Sequence, residues 1–534
     1  MFKTVVYKDK TFIPPLKRGR GSPDAFFDFA WIGGAPPRIL LAMNLADAFA
    51  RSAREHSEKT ALFWGEAEIS YATILSQAHW LAARLAREFS VRSGDRVGLW
   101  LKNCPEFVPA YFGILLAGGV GVPINNFLKP DEAGHILNDA GVDILITGMG
   151  MSESLPKLKA LRPSLRVVLV EDFAQATAVP DFPPPPCGDN ALAILIYTSG
   201  TTGRPKGAML SHANLLHNVA SCRTVLGAHS EDRFVVLLPM FHSFMMTVGV
   251  LLPLLTGSSI VLVRSLHPPK NVIAEMLHRR ATILPAVPQF FRTLAAAGAE
   301  QGLCLRVCIS GGAPLPLEIL REFNTRMPLP LIEGYGLSEA SPVVSLNPLA
   351  GPQKAGSIGL PIPGVEVSVQ GGSGQPLPPG ETGEICVRGG NVMLGYWNQP
   401  QETGQTLVNG WLRTGDIGHC DADGYFFITD RKKDMLLVNG INVYPREIEE
   451  ILHQFPGVQE AAVVGMPDAR RGEQPLAFVA AKEGTTLEEK ALLGFIRERL
   501  ADYKVPRRVH FLPALPRNAT GKILKTELRQ RAAN

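Results

Sequence analysis

The sequence has few cysteines and little excess charge, and each shortage excludes a class of protein. Its seven cysteines are an odd number without a CxxC pair, and no Cys/His set completes a metal site around Cys304 and Cys308. A reducing, cytoplasmic location is therefore expected. The net charge is only +4, and basic residues are concentrated only between Lys3 and Arg20, which argues against a nucleic-acid groove.

Uninterrupted apolar segments are also scarce. Residues 108–128 and 244–263 are uncharged and have the length of a membrane span, but glycines and prolines interrupt both. Each is predicted to be a buried helix followed by a buried strand. No continuous apolar segment precedes Pro14, so no signal peptide is expected.

The composition is that of a globular enzyme, with 46% hydrophobic and 19% charged residues, and 534 residues are too many for one core. Residues 1–40 lack periodicity and are predicted to be a disordered or surface-packed extension. Within residues 41–430, an amphipathic helix begins at Asn44, and helical patterns then alternate with β-rich runs such as RVGLW and VDILIT. This alternation predicts parallel sheets covered by helices. Residues 431–534 predict a small α+β domain.

The strongest motif is ILIYTSGTTGRPKGAML, in which an apolar strand is predicted to end at Tyr197 and to open into a phosphate-binding loop. Glycines allow close backbone approach, hydroxyls donate hydrogen bonds and a lysine adds positive charge. It is not a Walker A loop, because Pro205 precedes the lysine and Gly207 follows it. A solvated turn is the alternative. The predicted phosphate-binding residues are Thr198, Ser199, Gly200, Thr201, Thr202, Gly203 and Lys206.

Five more motifs follow in order: SGGAPL, EGYGLSEASP, WLRTGD, DRKKDMLLVNGINVYPREIE and PRNATGKILK. Together with YTSGTTGRPKG they resemble the acyl-adenylate-forming superfamily of acyl-CoA synthetases, nonribosomal-peptide adenylation domains and firefly luciferase. The resemblance begins near residue 44 and runs to the end of the chain. It implies an α/β fold, in which a large N-terminal domain has parallel sheets sandwiched by helices plus a distorted β-barrel. A small, mobile α+β C-terminal domain completes this fold, and the implied cofactors are ATP, Mg²⁺ and coenzyme A.

The resemblance assigns the adenine contacts to two glycine-containing motifs. Tyr335 is expected to stack on adenine, while Gly334 and Gly336 let the backbone approach the nucleotide. Gly312 and Ala313 of SGGAPL are further expected contacts.

The phosphate and metal contacts implied by the resemblance are hydroxyl and carboxylate oxygens. Ser338 is expected to contact the α-phosphate, at a position where the family more often has Thr. Glu339 is expected to hold Mg²⁺ together with Thr198. Taken alone, such a Glu is more often a surface residue or a helix cap.

The ribose contacts and the hinge follow in the next two motifs. Asp416 has two acceptor oxygens for the ribose hydroxyls, although a turn-forming Asp is the alternative. By resemblance, Arg431 is a second ribose contact, Lys433 is the hinge between the domains, and Gly440 faces the thiol substrate after rotation. A solvated basic cluster is the alternative for Arg431, Lys432 and Lys433.

The C-terminal motif is expected to deliver the catalytic lysine. Lys522 follows Gly521 in a loop bounded by a helix, and the resemblance places the lysine of the adenylation step here. Lys525 is interpreted as a surface bystander.

The acyl site is predicted from an apolar segment. PMFHSFMMTVGVLLPLLTG contains Phe241, Phe244, Met245 and Met246, which suggest an adaptable hydrocarbon pocket, with core packing as the alternative. By resemblance, His242 lies near the acyl and thiol entrance, but it could equally be a satisfied buried histidine.

The predicted reaction is the ATP-dependent conversion of a fatty acid to an acyl-adenylate with release of pyrophosphate, followed by transfer to coenzyme A. Transfer to an acyl carrier protein is an alternative, because FHSF and EGYGLSEASPVVSLN look similar to acyl-acyl-carrier-protein synthetases. A non-enzymatic lipid or nucleotide sensor on the same fold is a third possibility. No nucleic-acid partner is expected, and any membrane contact is expected to be peripheral.

Overall fold

A computed structural model describes most of the chain, and the predicted extension 1–40 lies outside it. The described residues are 44–176, 182, 185, 188, 190–199, 205–266, 268–298, 302–439, 441–468, 472–518 and 521–533.

Helices and strands alternate through the first part of the chain, as the sequence predicted. The first helix begins where the side chain of Asn44 accepts a hydrogen bond from the backbone N–H of Asp47 at 2.9 Å. The elements are α1 (Leu45–Glu55), β1 (Thr60–Trp64), β2 (Ala67–Ser70), α2 (Tyr71–Arg87), β3 (Arg96–Trp100), α3 (Phe107–Leu116), β4 (Val120–Pro123), α4 (Pro130–Asp139), β5 (Ile144–Thr147), α5 (Leu155–Leu161), β6 (Arg166–Leu169), β7 (Leu192–Ser199) and β8 (Pro205–Ser211).

The alternation continues in the next part, where both uncharged stretches form a helix followed by a buried strand. The first stretch forms α3 and β4, and the second forms a π-helix, a short α-helix and a strand, which confirms the prediction. The elements are α6 (His212–Leu226), β9 (Arg233–Val236), the π-helix (Met245–Leu251), α7 (Leu252–Thr256), β10 (Ser259–Leu262), α8 (Pro269–His278), β11 (Ile283–Ala286), α9 (Pro288–Ala297), β12 (Val307–Ser310), α10 (Leu317–Arg326), β13 (Leu331–Gly336) and β14 (Val343–Leu346).

The remaining elements are mainly antiparallel strands and three C-terminal helices. They are β15 (Leu360–Pro361), β16 (Val365–Gln370), β17 (Gly383–Gly389), β18 (Gly395–Tyr396), α11 (Pro400–Thr406), β19 (Leu407–Val408), β20 (Trp411–Cys420), β21 (Phe426–Arg431), β22 (Leu436–Val438), β23 (Ile441–Val443), α12 (Pro445–His453), β24 (Val458–Asp468), β25 (Gly472–Ala481), α13 (Glu489–Arg497), β26 (Val509–Phe511) and α14 (Lys525–Ala533).

Two mixed sheets form the large N-terminal body. One has the strand order β15-β14-β13-β12-β11-β9-β10-β1-β2, and the other has the order β18-β8-β7-β4-β3-β5-β6. The inner strands of both sheets pair in parallel. Antiparallel pairs occur at both ends of the first sheet and at the β8–β18 end of the second, whereas β6 at its other end pairs with β5 in parallel. The predicted α/β class with parallel sheets is therefore confirmed.

Helices α1, α2, α3 and α6 fill the space between the two sheets. Their apolar side chains join those of both sheets in one core, in which the rings of Phe49 and Phe112 stack with centroids 3.9 Å apart. Helices α8, α9 and α10 cover the outer face of the first sheet, and α4 and α5 cover that of the second. The large body is thus layered, with helices on both faces of each sheet.

Two smaller sheets follow along the chain. Strands β16, β17, β19, β20 and β21 form an antiparallel sheet, which realises the predicted distorted β-barrel as a curled half-barrel. Strands β22 to β26 form the other sheet, and α12, α13 and α14 pack on its faces. This last unit contacts the large body through Arg292, which donates to the carbonyl of Gln459, and through the ion pair of Lys482 and Glu318 at 3.2 Å.

No helix in the described part of the chain is long and apolar enough to cross a membrane.

Candidate functional site

A cavity of about 1270 Å³ lies where strands β12 and β13 of the first sheet end, and the β7–β8 hairpin, the half-barrel and the C-terminal loop also border it. The carboxyl ends of parallel strands are where α/β sheets bind ligands. Ala313 is not among the lining residues, and Gly200, Thr201, Thr202, Gly203 and Gly440 lie outside the described residues. The predicted residues that line the cavity are Thr198, Lys206, His242, Gly312, Gly334, Tyr335, Gly336, Ser338, Glu339, Asp416, Arg431, Lys433 and Lys522.

The described ends of the phosphate motif belong to two antiparallel strands, and β7 continues beyond Tyr197 to Ser199. The predicted end of the strand is wrong by two residues, because Thr198 pairs with Lys206 and Ser199 pairs with Pro205 across the hairpin. Side chains of directly opposed residues lie on the same face of an antiparallel pair. The Thr198 hydroxyl and the Lys206 ammonium are therefore presented on one side of the hairpin.

Two oxygen ligands suitable for Mg²⁺ meet beside this hairpin. The hydroxyl of Thr198 lies 3.4 Å from a carboxylate oxygen of Glu339, and Tyr396 donates to the same oxygen at 2.9 Å. No cluster of three or more His, Cys, Asp or Glu residues that could hold a metal occurs in the described residues. Mg²⁺ takes few protein ligands and keeps waters and phosphate oxygens, so this pair fits Mg²⁺ and not an all-protein cage.

The segment that carries Glu339 is held close to its neighbours. The hydroxyls of Ser338 and Ser243 lie 2.9 Å apart, which fixes the Ser338 side chain at the cavity wall. At Gly336, a Cβ atom would lie 2.2 Å from the carbonyl oxygen of Pro342. Glycine is therefore required there, because the chain passes directly over its own next segment.

A buried carboxylate joins the half-barrel to strand β13. Asp416 is 3% exposed, and its two oxygens contact the Tyr335 hydroxyl at 2.5 Å and the Arg431 guanidinium at 3.1 Å. Burial raises the pKa of Tyr335, and the Asp416 carboxylate holds the pKa of Arg431 above its usual range. Asp416 lies within strand β20 rather than in a turn, and it is opposite Arg431 in β21, whose paired side chain is still 42% exposed.

The basic side chains of Arg431, Lys433 and Lys522 line the same cavity as Asp416. Burial, together with the charges of Arg431 and Lys433, lowers the pKa of Lys522 to about 8, although the Asp416 carboxylate acts in the other direction. Burial also lowers the pKa of His242 to about 4, and the charge of Lys522 contributes to this. The C-terminal lysine is thus brought close to the histidine, Asp416 and Arg431 across the cavity.

Lys525 is not the surface bystander predicted from the sequence. Its ammonium forms an ion pair with Glu449 of α12 at 2.8 Å, and most of its side chain is covered. Helices α12 and α14 pack on the same small sheet, and the ion pair connects the first turn of α14 to α12. The role of Lys525 is therefore structural.

The apolar part of the lining contains only some of the residues that the sequence predicted, together with others. Met245 and Met246 are fully buried in the core between the sheets and do not line the cavity, which agrees with the core-packing alternative. Phe241 and Phe244 do line it. Other apolar lining residues, not singled out from the sequence, are Cys222, Leu226, Val248, Ile309, Val343 and Leu346.

Sequence reasoning also missed Tyr396 and Glu402. Tyr396 bonds to Glu339, and Glu402 forms an ion pair with Lys206. Both follow the SGGAPL and EGYGLSEASP motifs by dozens of residues, and neither stands in a glycine- or hydroxyl-rich loop. No local pattern marked them, because only the pairing of β18 with β8 brings them to the hairpin.

The comparisons with known proteins agree with this geometry. The family described as AMP-binding enzyme matches residues 49–397, and the family described as AMP-binding enzyme C-terminal domain matches residues 447–522. A feruloyl-CoA synthase from Amycolatopsis sp is 39% identical over 90% of this chain and 97% of its own. A long-chain-fatty-acid–CoA ligase from Bacillus subtilis (strain 168) is 35% identical over 92% of this chain and 94% of its own.

Solved structures give the same result. The crystal structure of ATP-bound MatB from Rhodopseudomonas palustris superimposes with a TM-score of 0.85 at 32% identity, and the match covers 92% of this chain and 99% of that one. The predicted resemblance and fold class are thereby confirmed. The chain belongs to the AMP-binding enzyme family, as an AMP-forming acid–CoA ligase built on the acyl-adenylate-forming fold.

Proposed function

We propose that this protein converts a fatty acid to its acyl-adenylate and then to its coenzyme A thioester. One observation carries the proposal: a single cavity is lined by hairpin residues Thr198 and Lys206, by the Asp416–Tyr335 pair, by Lys522 and by an apolar wall. These are the groups needed to hold a triphosphate, a nucleoside, an attacking carboxylate and a hydrocarbon chain together.

In the first step, a carboxylate oxygen of the acid attacks the α-phosphorus of ATP. The new oxygen–phosphorus bond forms while the bond to the bridging oxygen breaks, and pyrophosphate leaves with that electron pair. Lys522 offsets the repulsion between the two anions. Ser338 contacts the α-phosphate, Lys206 holds the leaving phosphates, and Asp416 with Arg431 orients the ribose.

Thr198 and Glu339 would hold the Mg²⁺ that accompanies the nucleotide. When bound, that ion supplies neutralisation of charge on the phosphate oxygens. The two side chains already lie within 3.4 Å of each other, and Tyr396 orients the carboxylate.

In the second step, the thiol sulfur of coenzyme A attacks the acyl carbon. The carbon–sulfur bond forms, the carbon–oxygen bond to phosphate breaks, and AMP leaves. We propose that residues 431–534 rotate about Lys433 between the steps, which withdraws Lys522 and presents Gly440. The names of the relatives at 39% and 35% identity support coenzyme A as the acceptor; no relative reported above supports a carrier protein.

The direct test is pyrophosphate exchange into ATP, measured with and without hexadecanoate, followed by mass detection of the thioester. We expect exchange that depends on the acid and a coenzyme A thioester as product. A protein that binds ATP but gives no acid-dependent exchange with any carboxylic acid would be the nucleotide or lipid sensor instead.

The acyl chain is expected to end against helix α6. Cys222 on this helix lines the cavity, is 2% exposed, and has a thiol whose pKa is raised by burial to about 12, so it presents a neutral surface. Val248, Ile309 and Leu346 add further apolar wall. None of these side chains can pair with a charged group, which favours a hydrocarbon chain as the occupant.

The substitution Cys222→Trp is therefore expected to shorten the range of accepted acids. Each methylene that loses its buried position costs about 0.8 kcal/mol, so displacement of several should lower kcat/KM for hexadecanoate by on the order of 100-fold. Short acids should change by less than about threefold. Arg223→Trp, which adds the same ring on the exposed face of α6, is the control. Equal losses for short and long acids would contradict this placement of the chain.

An aryl acid is the second candidate substrate, and two observations favour it. The relative at 39% identity is named a feruloyl-CoA synthase. In addition, the Ser310 hydroxyl lines the cavity, is fully buried and has no hydrogen-bond partner among the described residues. A phenolic substituent could supply that partner. A higher kcat/KM for ferulate than for hexadecanoate in direct competition would show that an aryl acid, and not a fatty acid, is the preferred substrate.

The activity is also expected to fall at alkaline pH. Because the pKa of Lys522 is lowered to about 8, its ammonium is half lost near that pH and is present below it. We expect kcat/KM for ATP to decrease above about pH 8, approaching tenfold for each pH unit. Lys522→Arg should give a lower but flat profile, since a guanidinium stays charged. A wild-type profile that stays flat to about pH 9.5 would contradict the assignment.

A further inference from the structure

The ammonium of Lys206 has a carboxylate partner that the proposed reaction does not use. Lys206 lies in β8 and is 7% exposed, and its ammonium is in ion-pair contact with Glu402 of α11. The Lys206 nitrogen also lies 5.5 Å from the centre of the Tyr396 ring. The side chain of Glu402 is 35% exposed, so one side of it faces solvent.

Glu402 occupies the approach to the phosphate hairpin. Lys206 and Glu402 both line the cavity, and Lys206 shares a face of the hairpin with Thr198, which reaches Glu339. A phosphate that contacts Lys206 from the cavity must therefore come close to the Glu402 carboxylate. Two groups of like charge cannot both hold one buried ammonium without mutual repulsion.

The position of Glu402 is built into the fold. The hydroxyl of Thr403 accepts a hydrogen bond from the backbone N–H of Tyr396 at 2.9 Å and donates to the carbonyl of Gln399 at 2.8 Å. These two bonds tie α11 to strand β18, which itself pairs with β8. The carboxylate is thus kept above Lys206 by the same strands that position the hairpin.

We propose that Glu402 is a positioning residue, and that its carboxylate and pyrophosphate alternate as the partner of the Lys206 ammonium. In the free enzyme, Glu402 neutralises the buried ammonium. It rotates towards solvent when a polyphosphate binds, and it competes for the ammonium again as pyrophosphate leaves, so it weakens retention of this product. The inference rests on the proposed function, in which Lys206 contacts the phosphates.

The test measures binding of inorganic pyrophosphate with Mg²⁺ by calorimetry. Glu402→Gln keeps the shape of the side chain and removes its charge. We expect the variant to bind pyrophosphate roughly three- to tenfold more tightly than the wild type, since the competing charge is gone. In steady state, KM for ATP should fall and inhibition by pyrophosphate should strengthen by the same factor. If Glu402 had only a structural role, the substitution would weaken the binding of both pyrophosphate and ATP.

Three variants make the result decisive. Gln401→Ala removes the preceding, exposed side chain of α11 and should bind pyrophosphate as the wild type does. Glu402→Ala should change binding in the same direction as Glu402→Gln, which provides a second measurement if one variant does not fold. Lys206→Gln should weaken binding.

The outcomes distinguish failure of the proposed Glu402 exchange from failure of the proposed phosphate-binding role of Lys206. If Lys206→Gln weakens pyrophosphate binding but both Glu402 variants bind it equally or less tightly than the wild type, the exchange is wrong and the proposed function stands. If Lys206→Gln leaves binding unchanged, Lys206 does not hold the phosphates, and both that assignment and the exchange are overturned.

Discussion

Lys522→Ala is expected to slow formation of the acyl-adenylate strongly while leaving the second half-reaction nearly intact. The ammonium offsets charge only where the carboxylate approaches the α-phosphate, and loss of one such group typically lowers a rate by about 100- to 1000-fold. Thioester formation from supplied acyl-adenylate and coenzyme A should change by less than about threefold, since the proposed rotation withdraws Lys522 from the phosphate before that step.

The two half-reactions can be measured on the same preparations. Pyrophosphate exchange reports the first, and mass detection of the thioester reports the second. Lys525→Ala is the matched control, because this lysine lies three residues away and pairs with Glu449 at 2.8 Å outside the cavity. It should lower thermal stability and leave exchange close to the wild-type rate. If Lys522→Ala slowed both half-reactions equally, the assignment of Lys522 to the adenylation step alone would be wrong.

Asp416→Asn is expected to lower kcat/KM for ATP, and this is the second large effect. The carboxylate contacts Tyr335 at 2.5 Å and Arg431 at 3.1 Å, so its neutralisation leaves a guanidinium without its partner. A hydrogen bond to a charged group contributes about 1.5–3 kcal/mol, so loss of the charged acceptor for the ribose corresponds to a loss of roughly 10- to 100-fold in kcat/KM for ATP.

The same substitution should move the alkaline limb of the pH profile. The Asp416 carboxylate raises the pKa of Lys522, so its removal lets Arg431 and Lys433 lower that pKa further, and activity should fall at a lower pH than in the wild type. Asp421→Asn is the control, because Asp421 pairs with Lys354 away from the cavity. A near-wild-type kcat/KM for Asp416→Asn would remove this residue from the nucleotide site.

Predictions from local pattern succeeded where the cause is itself local. RVGLW and VDILIT form β3 and β5 because apolar, β-branched runs of this length fit a buried parallel strand. The two uncharged stretches form helix–strand pairs because Gly118 and Gly257, both with positive φ, follow the ends of the helices. Tyr335, Asp416, Arg431 and Lys522, named from four separate motifs, line one cavity.

Predictions failed where a long-range partner decides the outcome. Lys525 reads as an ordinary basic residue at the start of a helix, but Glu449 lies opposite it once the helices pack. Thr198 and Ser199 extend strand β7 because they pair with Lys206 and Pro205 of β8. Met245 and Met246 point into the core because the π-helix directs them there and leaves Phe244 and Val248 at the cavity.

The sequence by itself determined the family, the order of the motifs and the chemical type of each reacting group, because these depend on residue identity and short spacing. Only the tertiary structure decided the electrostatic surroundings. Lys206 and Glu402 are 196 positions apart and Tyr335 and Asp416 are 81 apart, so only the packing of elements distant in the sequence brings each pair into contact. Charge interactions depend on distance in space and on burial, and neither is a property of a short segment.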